Sequence, residues 1–184
     1  MDTRKILFVV AGVLLVVVAA YYGWTLLKPA PKKATPQQLA ETALDKAAPP
    51  EKRVEAAAEL SRYTHTDRES PAAVQESRRV FSESREPEVK AAAIQSMASN
   101  WDFDSIDTLF SAMDDDDLLV RARAHAAVQR LLQVDAGYRA DAPREERLAK
   151  IKMYRDDWEK FRHSPALKRF REKLKQESAA GGGG

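Results

Sequence analysis

The stretch of sequence that decides the fold is DDDDLLVRARAHAAVQRLLQ, residues 114–133. Its small apolar residues recur at the spacing of an α-helix and therefore share one helical face: Val120, Ala124, Ala127, Val128 and Leu131. The arginine and glutamine side chains fall elsewhere on the helix. A face of alanine and valine is too shallow to bury much area alone, so the stretch predicts a helix that lies close against several neighbours.

The same pattern occurs twice upstream, in PEKRVEAAAEL (50–60) and PEVKAAAIQSM (87–97). Arg53, Ala56 and Leu60 match positions 90, 93 and 97 at a constant offset of 37, and these match positions 121, 124 and 128 at an offset of 31. Periods of this length are typical of repeat proteins, in which one helical hairpin cannot bury its own apolar face and its neighbours complete the core.

The residues around each second helix resemble those of the HEAT-repeat family, including its bacterial lyase-like variants. In that family an acidic or Pro-containing turn precedes a Val-Arg pair and then small residues; Val89-Lys90, Val120-Arg121 and the turn 114–117 fit this pattern. The first copy departs from it, with Lys52 where Val is expected. The resemblance, to a membrane-anchored bacterial type, implies an α-solenoid of about three hairpins over residues 36–134 that binds proteins.

The helices of these hairpins can be assigned from their start signals and apolar spacing. Thr35-Pro36-Gln37-Gln38 is typical of a helix start with a capping box, and Ser70-Pro71 suggests a second start of the same kind. The pattern predicts first helices at 36–47, 71–84 and 105–113, and second helices at 51–63, 87–99 and 117–134.

Composition limits both the fold class and the chemistry. Glycine is scarce outside the C-terminal tail and the segments are rich in helix-forming residues, which predicts an all-α chain. Cysteine is absent, the formal net charge is only +2, and the three histidines are far apart. No phosphate-binding loop, nucleophile elbow or paired-histidine metal motif occurs. We therefore expect no catalysis, cofactor or metal; that some similar repeat proteins act as lyases or glycosylases is fold analogy alone.

The N-terminal segment predicts a membrane anchor. After a short tail, 1–5, residues 6–27 run for 22 positions without a charge, enough as a helix to cross a hydrocarbon core of about 30 Å. A Pro- and Lys-containing linker, 28–35, follows. The alternative is a cleaved signal peptide, because Arg4 and Lys5 precede an apolar run that contains the small residues Val18-Ala19-Ala20.

The orientation of this anchor is set by competing signals. Lys28, Lys32 and Lys33 after the span outnumber the two basic residues before it, which favours a cytoplasmic domain under the positive-inside rule. A very short charged N-terminus before an apolar run is instead typical of an uncleaved export signal. We expect a single-pass protein of a bacterial inner membrane with its helical domain outside the cytoplasm.

Residues 135–176 predict a basic helical extension, and 177–184 a flexible Gly-rich tail. From 144 to 175 there are twelve Lys or Arg against six Asp or Glu. Two apolar stripes accompany these charges: Leu148, Ile151, Tyr154, Trp158 and Phe161 on a first helix, and Leu167, Phe170 and Leu174 on a second. One interpretation is a helix pair that caps the repeat stack. The alternative is a surface that binds nucleic acid or anionic lipid.

An acidic turn complements the basic extension. Seven aspartates occur among the sixteen residues 102–117 without a Lys or Arg between them. Helix capping explains these aspartates better than a calcium or magnesium site, since no glycine stands where a metal-binding loop would turn. We predict interaction surfaces of opposite sign, formed by Asp102, Asp104, Asp107, Asp114, Asp115, Asp116 and Asp117 and by Arg144, Arg147, Lys150, Arg155, Trp158, Lys168, Arg169 and Arg171.

These observations predict a single-pass, membrane-anchored HEAT-repeat protein that acts as a protein-interaction scaffold or as an accessory subunit of a membrane complex. Its expected partners are a protein and, through residues 6–27, the lipid bilayer. A nucleic-acid partner and a small-molecule substrate are not expected. The alternative function is binding of nucleic acid or anionic lipid through the basic C-terminal helices.

Overall fold

In the computed structural model, residues 33–63, 67 and 69–181 are described, and within these ranges the chain is helical with no strand. The all-α prediction is thereby confirmed. The helices are α1 (Pro36–Leu44), α2 (Pro50–Glu59), α3 (Ser70–Glu83), α4 (Pro87–Ser99), α5 (Ile106–Ala112), α6 (Leu118–Leu132), α7 (Arg144–Arg162) and α8 (Pro165–Gly181). Short 3-10 helices, Leu60–Arg62 and Phe103–Ser105, follow α2 and precede α5.

Side-chain caps start α1 and α6 where the sequence indicates them. The Gln38 backbone N–H donates to Thr35 Oγ1 at 3.3 Å, and the Thr35 N–H donates to Gln38 Oε1 at 3.0 Å, which completes the capping box of α1. At α6 the Asp117 carboxylate accepts from the backbone N–H groups of Leu119 and Val120.

The helix start predicted at Ser70-Pro71 lacks the side-chain cap that the sequence suggests. Ser70 lies inside the first turn of α3 and makes no cap; Glu69 is the residue before the helix. The Ser70 hydroxyl instead donates to Asn100 Oδ1 at 2.9 Å, at the end of α4. The Ser70 side chain, which local sequence rules assign to helix capping, therefore makes a tertiary hydrogen bond instead.

The helices pack as neighbouring pairs. α1 contacts α2, α3 contacts α4, and α5 contacts α6; in addition α4 lies between α2 and α6, and α1 contacts α3. Each second helix carries a fully buried alanine: Ala57, Ala93 and Ala124 each have no exposed surface. Because these side chains are small, the backbones can approach closely, as the alanine-rich face predicts.

Two apolar clusters form the core of the unit that spans residues 34–184. One joins α1 to α4, and the other joins α4 to α8. α4 contributes to both, with Ala93 in the first and Ile94 and Met97 in the second, while Phe81 of α3 packs against both. The two clusters are thus linked through one shared helix.

The predicted stripe of α7 packs against the second cluster at four of its five positions. Ile151, Tyr154 and Trp158 are buried, and Phe161 is half-buried against the same cluster. Leu148 was predicted on this stripe but is 42% exposed, so that assignment is wrong. The stripe therefore meets the core from its second turn onward.

No helix in the described part of the chain is long and apolar enough to span a membrane. The predicted anchor, residues 6–27, lies outside the described residues, as do the tail 1–5, positions 28–32 of the linker and positions 182–184. The signal-peptide alternative falls on the same segment.

Candidate interaction groove

An open groove lies between α3 and α8, with the turn that follows α4 as its floor. Its cavity volume is about 700 Å³. The apolar lining comes from Pro71, Val74, Trp101, Phe103 and Leu174, and the polar and charged lining from Ser70, Gln75, Arg78, Asn100, Asp102, Asp104, Arg171, Lys175 and Ser178. The groove thus combines two aromatic side chains in its floor with charged and apolar side chains around them, a lining suited to an amphipathic ligand.

The floor of the groove follows the C-cap of α4, Asn100, and has tryptophan in the position after the cap, which glycine usually takes. Trp101 has a φ of 55°, in the left-handed region. Its N–H donates to the Ala98 carbonyl, and the Asp102 N–H donates to the Met97 carbonyl, so α4 ends in a Schellman motif. A bulky residue in this conformation is costly, about 1–3 kcal/mol, and such strain clusters at functional sites.

Aromatic and cationic contacts hold the Trp101 ring in place. It lies edge-to-face with Phe170 of α8 at a centroid distance of 5.2 Å and stacks with Phe103 at 6.3 Å. The Arg130 guanidinium lies 5.3 Å from the ring centroid, and its Nε donates to the Ala98 carbonyl at 3.1 Å. The ring remains partly exposed to the groove.

A buried carboxylate anchors the α3 wall. Asp102 has a side chain only 3% exposed and accepts hydrogen bonds from Arg78, whose Nε lies 2.8 Å from Oδ2, and from the Ser105 hydroxyl. Hydrogen bonding to Asp102 raises the pKa of the Arg78 guanidinium above its ordinary value, so this residue stays cationic. The Arg78 side chain is 43% exposed, and its charge is held at the groove wall.

A second carboxylate connects the two walls. Asp104 Oδ1 accepts from Arg171 Nη2 of α8 at 3.0 Å, and its Oδ2 lies 3.8 Å from Arg78 Nη2 of α3. In contrast to Asp102, the Asp104 side chain is 70% exposed. Ion pairs this exposed contribute only about 0–1 kcal/mol, so Asp104 is weakly held in its place.

The other predicted acidic residues have mixed roles. Asp114 accepts from Arg144 and Arg147; hydrogen bonding to Arg144 lowers the pKa of the Asp114 carboxyl. Asp115 pairs with Lys90 at 3.0 Å, and Asp117 caps α6. The remaining two, Asp107 and Asp116, are exposed. Four of the seven aspartates therefore pair with basic side chains distant in sequence, and the charge separation expected from the sequence is reduced in space.

Ion pairs also engage much of the predicted basic surface. Arg144, Arg147 and Arg171 bind the acidic turn, and four more basic residues of α7 and α8 pair within their own helix: Lys152, Lys160, Arg162 and Lys173. The Arg155 guanidinium lies 5.5 Å from the Phe110 ring centroid. Lys150, Lys168 and Arg169 make no ion pair among the described residues, and the last two are exposed.

Trp158 belongs to the core and not to an exposed face. It is 4% exposed, stacks parallel to Phe103 at 6.2 Å, and lies beneath the Arg162 guanidinium at 5.9 Å. Since Phe103 also lines the groove, Trp158 supports the groove floor from the core side. The described residues contain no cluster of three His, Asp or Glu side chains that could hold a metal ion.

The groove was missed in the sequence because its residues come from distant positions. Only Asp102, Asp104 and Arg171 of its lining were among the predicted interaction residues. One sequence signal was available. No glycine occurs between the predicted end of α4 at Ser99 and the predicted start of the next helix at Ser105. A bulky residue directly after a helix C-cap, such as Trp101, indicates a special backbone position there.

Comparisons of the chain with protein-family models, with curated proteins and with solved structures gave no match.

Proposed function

We propose that this chain binds a protein partner through the groove between α3 and α8, and acts as a scaffold or accessory subunit of a membrane complex. The observation that carries the proposal is the floor of the groove. Trp101 is held in a strained backbone conformation and presents a partly exposed ring between charged walls. Exposed tryptophan and arginine side chains are typical of residues that dominate binding energy at protein interfaces.

The finer fold that goes with this proposal is a HEAT-like α-solenoid of three hairpins, α1–α2, α3–α4 and α5–α6, closed by α7 and α8. Support comes from the contacts of α4 with both α2 and α6, since stacked hairpins contact only their neighbours. A terminal helix pair that buries Tyr154 and Trp158 fits the role of a cap.

The membrane part of the proposal rests on sequence. Residues 6–27 would anchor the chain in a bacterial inner membrane, and the linker 28–35 would hold the helical domain away from the bilayer, outside the cytoplasm. A protein partner would then be another membrane protein or a protein of the same compartment.

The alternative function, binding of nucleic acid or anionic lipid by α7 and α8, has less support. At least seven of the twelve basic residues in 144–175 are engaged in ion pairs, three of them with the acidic turn. Phosphate binding by the remaining cations would weaken steeply with added salt.

Affinity isolation with matched groove variants tests the proposal. The full-length chain is purified from detergent-solubilised membranes as wild type, as Val74→Glu and as Val134→Glu. Val74 lines the groove, whereas Val134 is 40% exposed outside it, so the two variants make the same chemical change. We expect a partner to co-purify with the wild type and Val134→Glu and to be lost from Val74→Glu. Retention of the same partner by Val74→Glu would exclude the groove as its binding site.

A further inference from the structure

A carboxylate of the chain itself lies between cationic side chains on the two walls of the groove. Asp104 lies between Arg171 on one wall, at 3.0 Å, and Arg78 on the other, at 3.8 Å. Its side chain is 70% exposed, and ion pairs this exposed are weak. Asp102 is buried and accepts hydrogen bonds from Arg78 and Ser105, so we expect it to keep its position.

Displacing Asp104 changes the charge of the groove. Arg78, Arg171 and Lys175 would then face a single buried carboxylate, that of Asp102. Lys175 follows Arg171 by one helical turn on α8 and makes no ion pair among the described residues. With Asp104 turned away, the walls carry three cations against one anion and are complementary to a ligand carboxylate.

The apolar residues beside these cations define the rest of the ligand. Val74, Trp101 and Leu174 line the groove and are each only partly buried. An extended peptide that carries an acidic side chain next to a bulky apolar one would satisfy both parts of the lining at once. Arg171 can bind such a carboxylate through two parallel hydrogen bonds, because Asp104 is the one carboxylate it contacts among the described residues.

We propose that the groove recognises an acidic, apolar-flanked peptide segment of the partner, whose carboxylate replaces Asp104 between Arg78 and Arg171. This inference rests on the proposed function of the groove as a protein-binding site and adds the chemistry of its ligand. Asp104 is then an internal competitor that lowers the affinity for every acidic ligand.

Fluorescence polarisation of labelled peptides tests this inference. The probe is an eight-residue peptide with amidated C-terminus, in which two aspartates are flanked by leucines; the comparison probe has asparagine in place of aspartate. Both are titrated with the full-length chain in detergent micelles. We expect the acidic probe to bind at least tenfold more tightly than the asparagine probe.

Two variants on the same acidic turn distinguish competition from general charge effects. Asp104→Asn removes the internal competitor and should tighten binding of the acidic probe by about two- to fivefold, the equivalent of one exposed ion pair. Asp107→Asn makes the same charge change at an exposed residue outside the groove and should leave the affinity within twofold. The double variant Arg171→Gln, Lys175→Gln should weaken binding at least tenfold, with thermal melting used to confirm that it folds.

The inference is overturned if Asp104→Asn binds the acidic probe no better than Asp107→Asn, or if the asparagine probe binds equally well. It is also overturned if a single-stranded oligonucleotide of eight nucleotides binds more tightly than the acidic probe. That result would mean that the cationic side chains of the groove bind nucleic acid. If these results occur while Val74→Glu still loses the partner, the proposed function stands and only the acidic preference fails.

Discussion

The indole of Trp158 lies parallel to the phenyl ring of Phe103, with ring centroids 6.2 Å apart and an interplanar angle of 9°. Trp158 belongs to the C-terminal helix pair, and Phe103 belongs to the turn that forms the groove floor. This contact therefore connects the extension to the groove, and the stability of one depends on the packing of the other.

Trp158→Ala should destabilise the domain by about 3–5 kcal/mol, because truncation of a buried tryptophan leaves a cavity. For a chain of this size the melting temperature should fall by roughly 6–20 °C. The measurement is thermal unfolding of the full-length chain in detergent, followed by circular dichroism. Met153→Ala on the same helix, at a residue 48% exposed, should melt close to the wild type. A Trp158→Ala variant that melts like Met153→Ala would refute the capping role.

Ala93→Leu and Ala124→Leu should each destabilise the domain by about 1–3 kcal/mol, because both alanines have no exposed surface and a larger side chain overpacks the core. Ala122→Leu on α6 makes the same change at an exposed position and should have little effect. Chemical denaturation of the three variants compares them. Equal unfolding midpoints for all three would mean that the helices are not packed in this register.

Trp101→Gly should be more stable than Trp101→Ala by about 1–2 kcal/mol, because glycine adopts a left-handed conformation without the strain that a Cβ introduces. Both variants lose the ring contacts with Phe103 and Phe170, so the comparison isolates the backbone term. Thermal melting gives the difference. If alanine is as stable as glycine here, Trp101 does not lie in the left-handed conformation.

The stability of the domain should depend on pH through His125. Its Nε2 lies 3.0 Å from the Tyr154 hydroxyl and its ring packs on Tyr138 at 4.8 Å; burial lowers its pKa below 6.5, although Asp135 opposes this. As the pH falls, His125 therefore takes up a proton at a higher pH in the unfolded chain than in the folded chain. This contribution to stability is complete above about pH 6.5 and is lost as the pH falls through the folded-state pKa.

The measurement is the free energy of unfolding of the wild type and His125→Gln between pH 7.5 and pH 5. Because the aspartates and glutamates are present in both chains, only the difference between the two profiles reports on His125. We expect the wild type to lose more stability than the variant as the pH falls. Parallel profiles would show that the His125 ring titrates as it does in the unfolded chain.

Local patterns predicted the helices, and tertiary contacts determined the site. The spacing of Val120, Ala124 and Val128 repeats with the helical turn, so the α6 face could be read from a single segment. Thr35 and Asp117 act on backbone groups within three residues, and sequence rules describe such caps. The same rules were wrong for Ser70, whose hydroxyl binds Asn100, 30 positions away.

The groove depends on pairs that no local rule describes. Arg78 and Asp102 are 24 positions apart, and Asp104 and Arg171 are 67 apart. In the sequence, the acidic turn and the basic extension are separate blocks of opposite charge. Folding brings them together, so several of these charges stabilise the packing of α7 and α8 against the rest of the domain instead of lying on separate surfaces.

Site-specific photo-cross-linking tests the central claim, that the groove between α3 and α8 binds a protein partner, most directly. A photoreactive residue is introduced in the full-length chain at Gln75 or Ser178, which line the groove, or at Glu145, which is exposed on α7 outside it. After irradiation in membranes, we expect the same protein to be cross-linked from positions 75 and 178 but not from position 145. A partner cross-linked from position 145 and from neither groove position would contradict the account.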